Sequence, residues 1–476
     1  MRIYYKPVII ALPFFLGACA TVVPSQYTNK TAAFDAVAAG TSKSISKQTV
    51  WIQSQQQADA NAKRVHSMVH KKTITAETAV QVALLNNKGL QATYAEVGLS
   101  AAEVWQEALP ENPIVSIGIF GIAAPELGVF RAIEGMFATN LLDAKTRKQR
   151  VALADTQFKK VQLNAVNETL KLASETRQAW INAVAAFEAV GNLKRASATS
   201  DASSELARSL GLAGSLDKGS QAREHAFNAD LAAQTAKARL EAAGAKAELT
   251  RLMGLWGTEL DYYVPNALPR LPKSISRRRS IETDALKNRA ELKVAKLGLE
   301  ATAQAHGMTN ATRYLTDLEL LAGFETEREA DGSGGASSNT TPQVEVEFAI
   351  PIYDTGKARL RKAELEYLRA ANVVAEMAVN VRSEARSAEA TYHGTYQIAK
   401  HYRDTVLPLR KVVDEAALLS NNGMITNTFE LLEDTRETLE AKMEADEAKR
   451  DFWLAKANLQ AAIYGGKISQ SDDDDE

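Results

Sequence analysis

From Lys145 to about Ser209 no proline interrupts the chain, and Gly191 is the only glycine before the last turns. Alanine, leucine and charged residues fill this run, which reads as one helix. About 65 residues at 1.5 Å each would span roughly 100 Å, several times the width of a globular domain. A helix of that length must find apolar partners all along it. Its apolar residues keep a seven-residue beat: Val151, Phe158, Ala165, Leu172, Ala179 and Ala186. Such a beat with small seam residues suits helices packed closely in a left-handed coil.

The body of the chain is written twice. "ALLNNKGLQATYAEVGL" from Ala83 returns as "ALKNRAELKVAKLGL" from Ala285, a shift of 202 residues. The stretch around Asp143, "NLLDAKTRKQRVALAD", returns around Asp354 as "PIYDTGKARLRKAELE", and Gly214 is answered by Gly423. Ordered landmarks at similar offsets indicate a duplicated unit. Each unit reads helix, strand, loop, strand and two long helices. The first covers 74–257 with strands near 114–121 and 137–142. The second covers 281–465 with strands near 317–326 and 343–351. A proline-bearing linker, 258–280, separates them, and 466–476 is a solvated acidic tail ending in "SDDDDE".

The strands have unlike faces. Val344, Val346, Phe348 and Ile350 alternate with Glu345, Glu347 and Ala349, and Leu318, Leu320, Ala322 and Phe324 stand opposite Asp317, Glu319 and Glu325. Four such strands alone in water are marginal. In an outer membrane the same alternation gives a barrel its lipid face and its water-filled lumen. Four strands cannot close a barrel with a lumen, and hydrocarbon tolerates no open edge. The chain must therefore pool strands with copies of itself. The alternation makes Glu319, Glu325, Glu345 and Glu347 lumen-facing candidates, with a phase that a one-residue slip would reverse.

The start of the chain, "MRIYYKPVIIALPFFLGACA", has basic residues, an apolar stretch from Val8 to Leu16, and small residues before Cys19. It reads as an export signal, 1–18, too short to span as a helix. "LGAC" resembles the bacterial lipobox, and Cys19 is the only cysteine in the chain. The thiol is therefore expected to carry a covalent lipid such as palmitate at the head of segment 19–73. Ala20 follows it rather than the Asp that would suggest inner-membrane retention. The formal net charge of -2 gives no support to nucleic-acid binding.

These features together resemble the TolC family of outer-membrane efflux channels, over residues of about 74 to 465. The resemblance rests on "IPIYDTGKARLRKAE", "ALLNNKGLQATYAEV", "AGSLDKGSQARE" and "LLEDTRETLEAKMEADEAKRDFWLAKANLQ". It implies a mainly α fold with a small β component. It implies a homotrimer whose transmembrane β-barrel continues into a periplasmic α-helical barrel. It also implies a Gram-negative outer-membrane location, with a periplasmic adaptor and an inner-membrane transporter as partners. In the family, carboxylates on the second return helix close the periplasmic tip. Glu430 and Glu433 fall nearest those positions here, one residue farther from Gly423 than usual. Three residues apart, they share a helix face.

Other chemistry is sparse. "HSMVH" places His66, Met68 and His70 together, a spacing that can share a metal on a helix but lacks a third strong ligand. No residue spacing supports an enzyme or a bound cofactor. The rival reading is a lipid-anchored periplasmic coiled-coil scaffold or adaptor without a pore.

Overall fold

The structure is a computed structural model. It describes the chain except residues 1–22, 30, 123–130, 279, 331–335, 423–427 and 467–476, and omits the side chains of 330, 420–422 and 428–432. The signal, Cys19, the Gly423 turn and the acidic tail lie outside the described residues.

The N-terminal segment holds three helices, α1 (Ser25–Thr28), α2 (Ala32–Ile45) and α3 (Gln55–Val69). The first repeat follows as α4 (Ala76–Asn86), α5 (Lys88–Ala108), β1 (Ile114–Phe120), β2 (Ala132–Asn140), α6 (Leu141–Leu212) and α7 (Lys218–Met253). The second repeats that order as α8 (Ile281–Asn288), α9 (Ala290–Ala311), β3 (Leu318–Ala330), β4 (Ala336–Phe348), α10 (Lys357–His401), α11 (Leu407–Asn422) and α12 (Thr428–Tyr464). No helix among the described residues is long and apolar enough to cross a membrane.

The opening helix of each repeat is broken, where the pattern predicts one continuous element. The breaks fall at Asn87 and Arg289, which are again 202 residues apart. Each is fixed by a side chain reaching distant backbone. Asn87 Nδ2 donates to Leu252 O at 3.0 Å while its Oδ1 caps α5 through Leu90 N–H. The buried Arg289 guanidinium donates to Ala462 O and pairs with Glu384 at 2.6 Å.

Contacts divide the chain into two units, and each unit draws on both repeats. One comprises Leu99–Phe158, Ala301–Leu365 and the described residues before Phe34. It holds a four-stranded antiparallel sheet in the order β1-β2-β3-β4. Strand β2 is a correction to the expected 137–142. Gly135 sits in its apolar row and hides the period, while Leu141 and Leu142 belong to α6, whose start is capped by Asn140 Oδ1 accepting Asp143 N–H at 2.9 Å. Strand β4 is likewise shifted from 343–351. Its outer half, "ASSNTT", is polar on both faces, so only pairing with β3 reveals it, and Ile350 and Pro351 lie beyond its end. Strand β3 runs on past the expected 326 to Ala330 through the same pairing.

The two strand-to-helix junctions differ. Strand β2 passes into α6 with no intervening residue. After β4 the chain makes a turn in which Gly356 has φ +71 and its N–H donates to Asp354 Oδ1 at 2.8 Å. A Cβ at Gly356 would press on Arg313 O at 2.8 Å, and Arg313 Nε–H donates to Thr355 O. Glycine is required there both by backbone hand and by space.

The second unit comprises Phe34–Gly98, Lys159–Glu300 and the described residues from Glu366 onward. Its core follows the seven-residue beat, with Ala165 fully buried and Leu172 and Ala179 each 8% exposed. From Phe34 on, the N-terminal segment, for which the sequence pattern predicts no element, is part of this core. Val37, Val65 and Val69 are fully buried, and Phe34 meets Tyr94 edge-on at 4.7 Å. Trp180 Nε1–H donates to Ile74 O at 3.0 Å. A second cluster gathers Phe452 with Tyr392, Tyr396 and Trp453. Between α10 and α11 a π-turn spans Tyr402–Val406. Pro408 follows it, and a proline lacking its N–H loosens the preceding helical turn, which explains the widening. Helix α6 carries no proline and runs unbroken for 72 residues.

Candidate functional site

The sheet register sorts its side chains into two faces. Ile117, Gly135 and Phe324 are aligned across β1, β2 and β3, as are Val115, Phe137, Ala322 and Val344 across all four strands. This face is apolar and open: Ile117 is 73% exposed and Val344 75%. Next to the sheet's lower end, Ile350, Ile352, Tyr353 and Tyr314 are exposed as well.

The other face is acidic. Glu319 registers with Glu347, Leu321 with Glu345, and Glu134 with Glu325. All four expected carboxylates, Glu319, Glu325, Glu345 and Glu347, therefore share one face. Glu134 and Glu327 belong to it too and escape the sequence analysis, Glu134 because Gly135 masks the alternation of β2 and Glu327 because it lies past the expected end of β3 at 326. Like charges directly opposite each other weaken a sheet by a few tenths of a kcal/mol per pair or more. Gln343 Nε2 reaches Glu134 at 3.5 Å and offsets little of this. Among the described residues the sheet has unpaired edges at β1 and β4.

In the other unit, the Glu430 side chain lies outside the described residues, and Glu433 is exposed on α12. Several side chains farther along that helix are tied to its neighbours. Arg436 pairs with Glu224 of α7 at 3.3 Å and lies over the Phe227 ring at 4.1 Å. Glu437 pairs with Arg410 of α11, Thr438 Oγ1 donates to Asp414 at 2.6 Å, and Tyr402 OH donates to Glu444 at 3.1 Å. Burial raises the Glu224 carboxyl above the usual range, against the pull of Arg436. No local pattern marks Glu224 or Arg436, since their pairing depends on helices that lie 212 residues apart in sequence.

Farther along α12, Asp446 accepts from Asn192 of α6, beside Glu188, which pairs with Lys449 at 2.9 Å and accepts Leu268 N–H at 2.9 Å. Burial, and then the Glu188 charge, push the Asp446 carboxyl up to about 6. The folded state thus binds this proton more tightly than the unfolded chain, and stability falls as pH rises between about 4 and 6. Asp446→Asn removes that cost. Allowing for partial exposure, it is expected to stabilise by about 1–2 kcal/mol at pH 7.5 and by nothing measurable at pH 4. Thermal unfolding at the two pH values checks this, and an equal gain at both would refute it.

The His66 and His70 rings stack at 4.4 Å and 20°, face to face, and Met68 is half-buried on the same helix. Among the described residues no three His, Cys, Asp or Glu side chains gather as a metal site would require.

No family model and no curated protein matches the chain. Solved structures do. The CmeC outer membrane channel of Campylobacter jejuni is 17% identical, with a TM-score of 0.68 over 83% of this chain and 87% of that one. The chain has the TolC-like channel fold. The outer membrane protein VceC of Vibrio cholerae shares that fold at 15% identity and a TM-score of 0.65, over 82% of this chain and 96% of its own. So does the MtrE outer membrane channel of Neisseria gonorrhoeae, crystallised in an open state, at 15% and 0.64, over 83% and 91%. Among the described residues, the acidic sheet face is where carboxylates stand opposite one another in register.

Proposed function

We propose that the chain is one subunit of a passive, trimeric outer-membrane channel in a tripartite efflux or secretion system. An inner-membrane pump and a periplasmic adaptor would supply its substrates. The observation that carries this reading is the sheet: one open apolar face, one acidic face and two unpaired edges. A β-sheet exposed to lipid must close. Copies that join β4 of one to β1 of the next satisfy both edges, and three copies give a twelve-stranded barrel within the usual range. The apolar face then meets lipid, Tyr314 and Tyr353 suit the membrane interface, and the carboxylates line water. A scaffold would leave that apolar face in water.

A lipid on Cys19 fits the geometry of the first unit. Tyr27 OH donates to Asp155 at 2.6 Å, and its ring packs edge-on against Phe158. The six residue steps from Cys19 to Ser25, where α1 begins, reach about 20 Å when extended. Asp155 lies about 22 Å along α6 from the end of β2, so an extended tether spans most of the way to the sheet.

The test is electrical. Purified from outer membranes, the protein should run as a heat-labile trimer, take up palmitate unless Cys19 is replaced by Ser, and conduct with cation preference in planar bilayers. Glu134, Glu319, Glu325 and Glu347 changed together to Gln should weaken that preference several-fold. Glu430→Ala with Glu433→Ala should do the same if those residues form the tip constriction. A monomer released from membranes by high salt would overturn the reading.

A further inference from the structure

Three lysines of the second unit stand together, and none of them makes an ion pair among the described residues. Lys43 lies in the last turn of α2, and Lys293 and Lys296 lie three apart near the start of α9, so they share a face. All three are exposed. The only side-chain hydrogen bond any of them makes among the described residues is from Lys293 Nζ to Asn288 O at 3.2 Å. Partial burial, and then the charges of Lys43 and Lys296, hold the Lys293 ammonium below its ordinary range. The neighbouring cations differ: Lys47 and Arg177 both pair with Glu77, at 2.7 and 2.8 Å. The patch is therefore a repulsive arrangement that the folded chain keeps without a described counter-charge.

The described chain ends beside it. Gly465 and Gly466 have φ +107 and +132, conformations that suit glycine alone. The space at Gly465 is bounded by Ala290, the first residue of α9, at 3.7 Å, and that at Gly466 by Ser174 at 3.2 Å. Gly465 also lines a cavity of about 260 Å³ with Ser44 and Ser46, which directly follow the α2 end of the patch. The next residues are "KISQ", and then "SDDDDE" brings five carboxylates, Asp472 to Glu476. From Gly466 to Asp472 the chain reaches about 20 Å, enough to fold back from Ala290 to Lys293 and Lys296 a turn or two along the helix.

We propose that the acidic tail, Asp472–Glu476, docks on the Lys43–Lys293–Lys296 patch of its own subunit and supplies the missing counter-charge. The tail is then an internal electrostatic clasp that holds the end of α12 against α2 and α9. This inference does not rest on the channel reading and survives its failure, because none of its residues belongs to the sheet.

Carbodiimide, which joins a carboxylate directly to an amine, tests it on the full-length protein. Peptide mass spectrometry should find links from Asp472–Glu476 to Lys43, Lys293 or Lys296. Raising NaCl to about 0.5 M should reduce them several-fold through screening. The triple variant Lys43→Gln, Lys293→Gln, Lys296→Gln should not redirect the links to other lysines at the same yield. Independently, changing Asp472–Asp475 to Asn should raise acylation of Lys293 several-fold in the otherwise intact protein. Absent links, unchanged Lys293 reactivity, or links spread over unrelated lysines would overturn the proposal. Links found only between differently tagged copies in a mixed assembly would overturn the same-subunit assignment.

Discussion

Val346→Arg is expected to abolish the outer-membrane trimer, whereas Glu345→Arg, one residue away, leaves it assembled. Val346 lies on the open apolar face, 52% exposed, in register with Leu320. Glu345 is on the opposite face, in register with Leu321. On the proposed channel an arginine on the lipid face costs about 2–4 kcal/mol near the bilayer midplane, and three subunits carry it at once. Glu345→Arg instead places a cation among Glu319, Glu347 and Glu325, relieving like-charge crowding. That variant should assemble, keep a dissociation temperature at least as high as the unsubstituted protein's, and lose cation preference. Membrane fractionation and the heat-labile band on gels report the first outcome, and bilayer recordings the second. Equal behaviour of the two variants would mean that the faces are not lipid and water.

Features set by nearest neighbours were legible in the sequence. Val344, Glu345, Val346 and Glu347 reveal both faces of β4 because each residue carries its own polarity, and the seven-residue beat of Phe158, Ala165 and Leu172 marks the buried seam of α6. Features set by distant partners were not. Glu134 belongs to the acidic face, but Gly135 beside it leaves no alternation to read, and only pairing with Phe324 and Glu325 locates the strand. The breaks at Asn87 and Arg289 depend on carbonyls more than 160 residues away. Helices α2 and α3 lie in the segment 19–73, where the sequence pattern marks no element, yet Val37, Val65 and Val69 are fully buried. Glu224 of α7 and Arg436 of α12 are unremarkable members of charged helices until the fold sets them together.

Gly323→Ala should be as damaging as Val346→Arg, for a different reason. Gly323 lies in β3, in register with Met136 of β2 and Gln343 of β4. A Cβ there would overlap the carbonyl oxygen of Gly135 and press on Met136 Cα at 3.1 Å, both backbone atoms that no rotamer can move aside. The β2–β3 ladder is also the one pairing that joins the hairpin of the first repeat to that of the second. Parting it leaves amide and carbonyl groups unpaired, at several kcal/mol each if lipid surrounds them. Gly118→Ala provides the contrast. Its Cβ would meet the Phe120 ring at 2.8 Å, a side chain that can swing to another rotamer at modest cost. The expected result is loss of the heat-labile trimer in Gly323→Ala and its retention, at a slightly lower dissociation temperature, in Gly118→Ala. Since the second unit draws on neither strand, far-UV helicity should persist in both. A Gly323→Ala trimer as stable as the unsubstituted protein would show that the two hairpins do not depend on this ladder, and the barrel would then need another way to close.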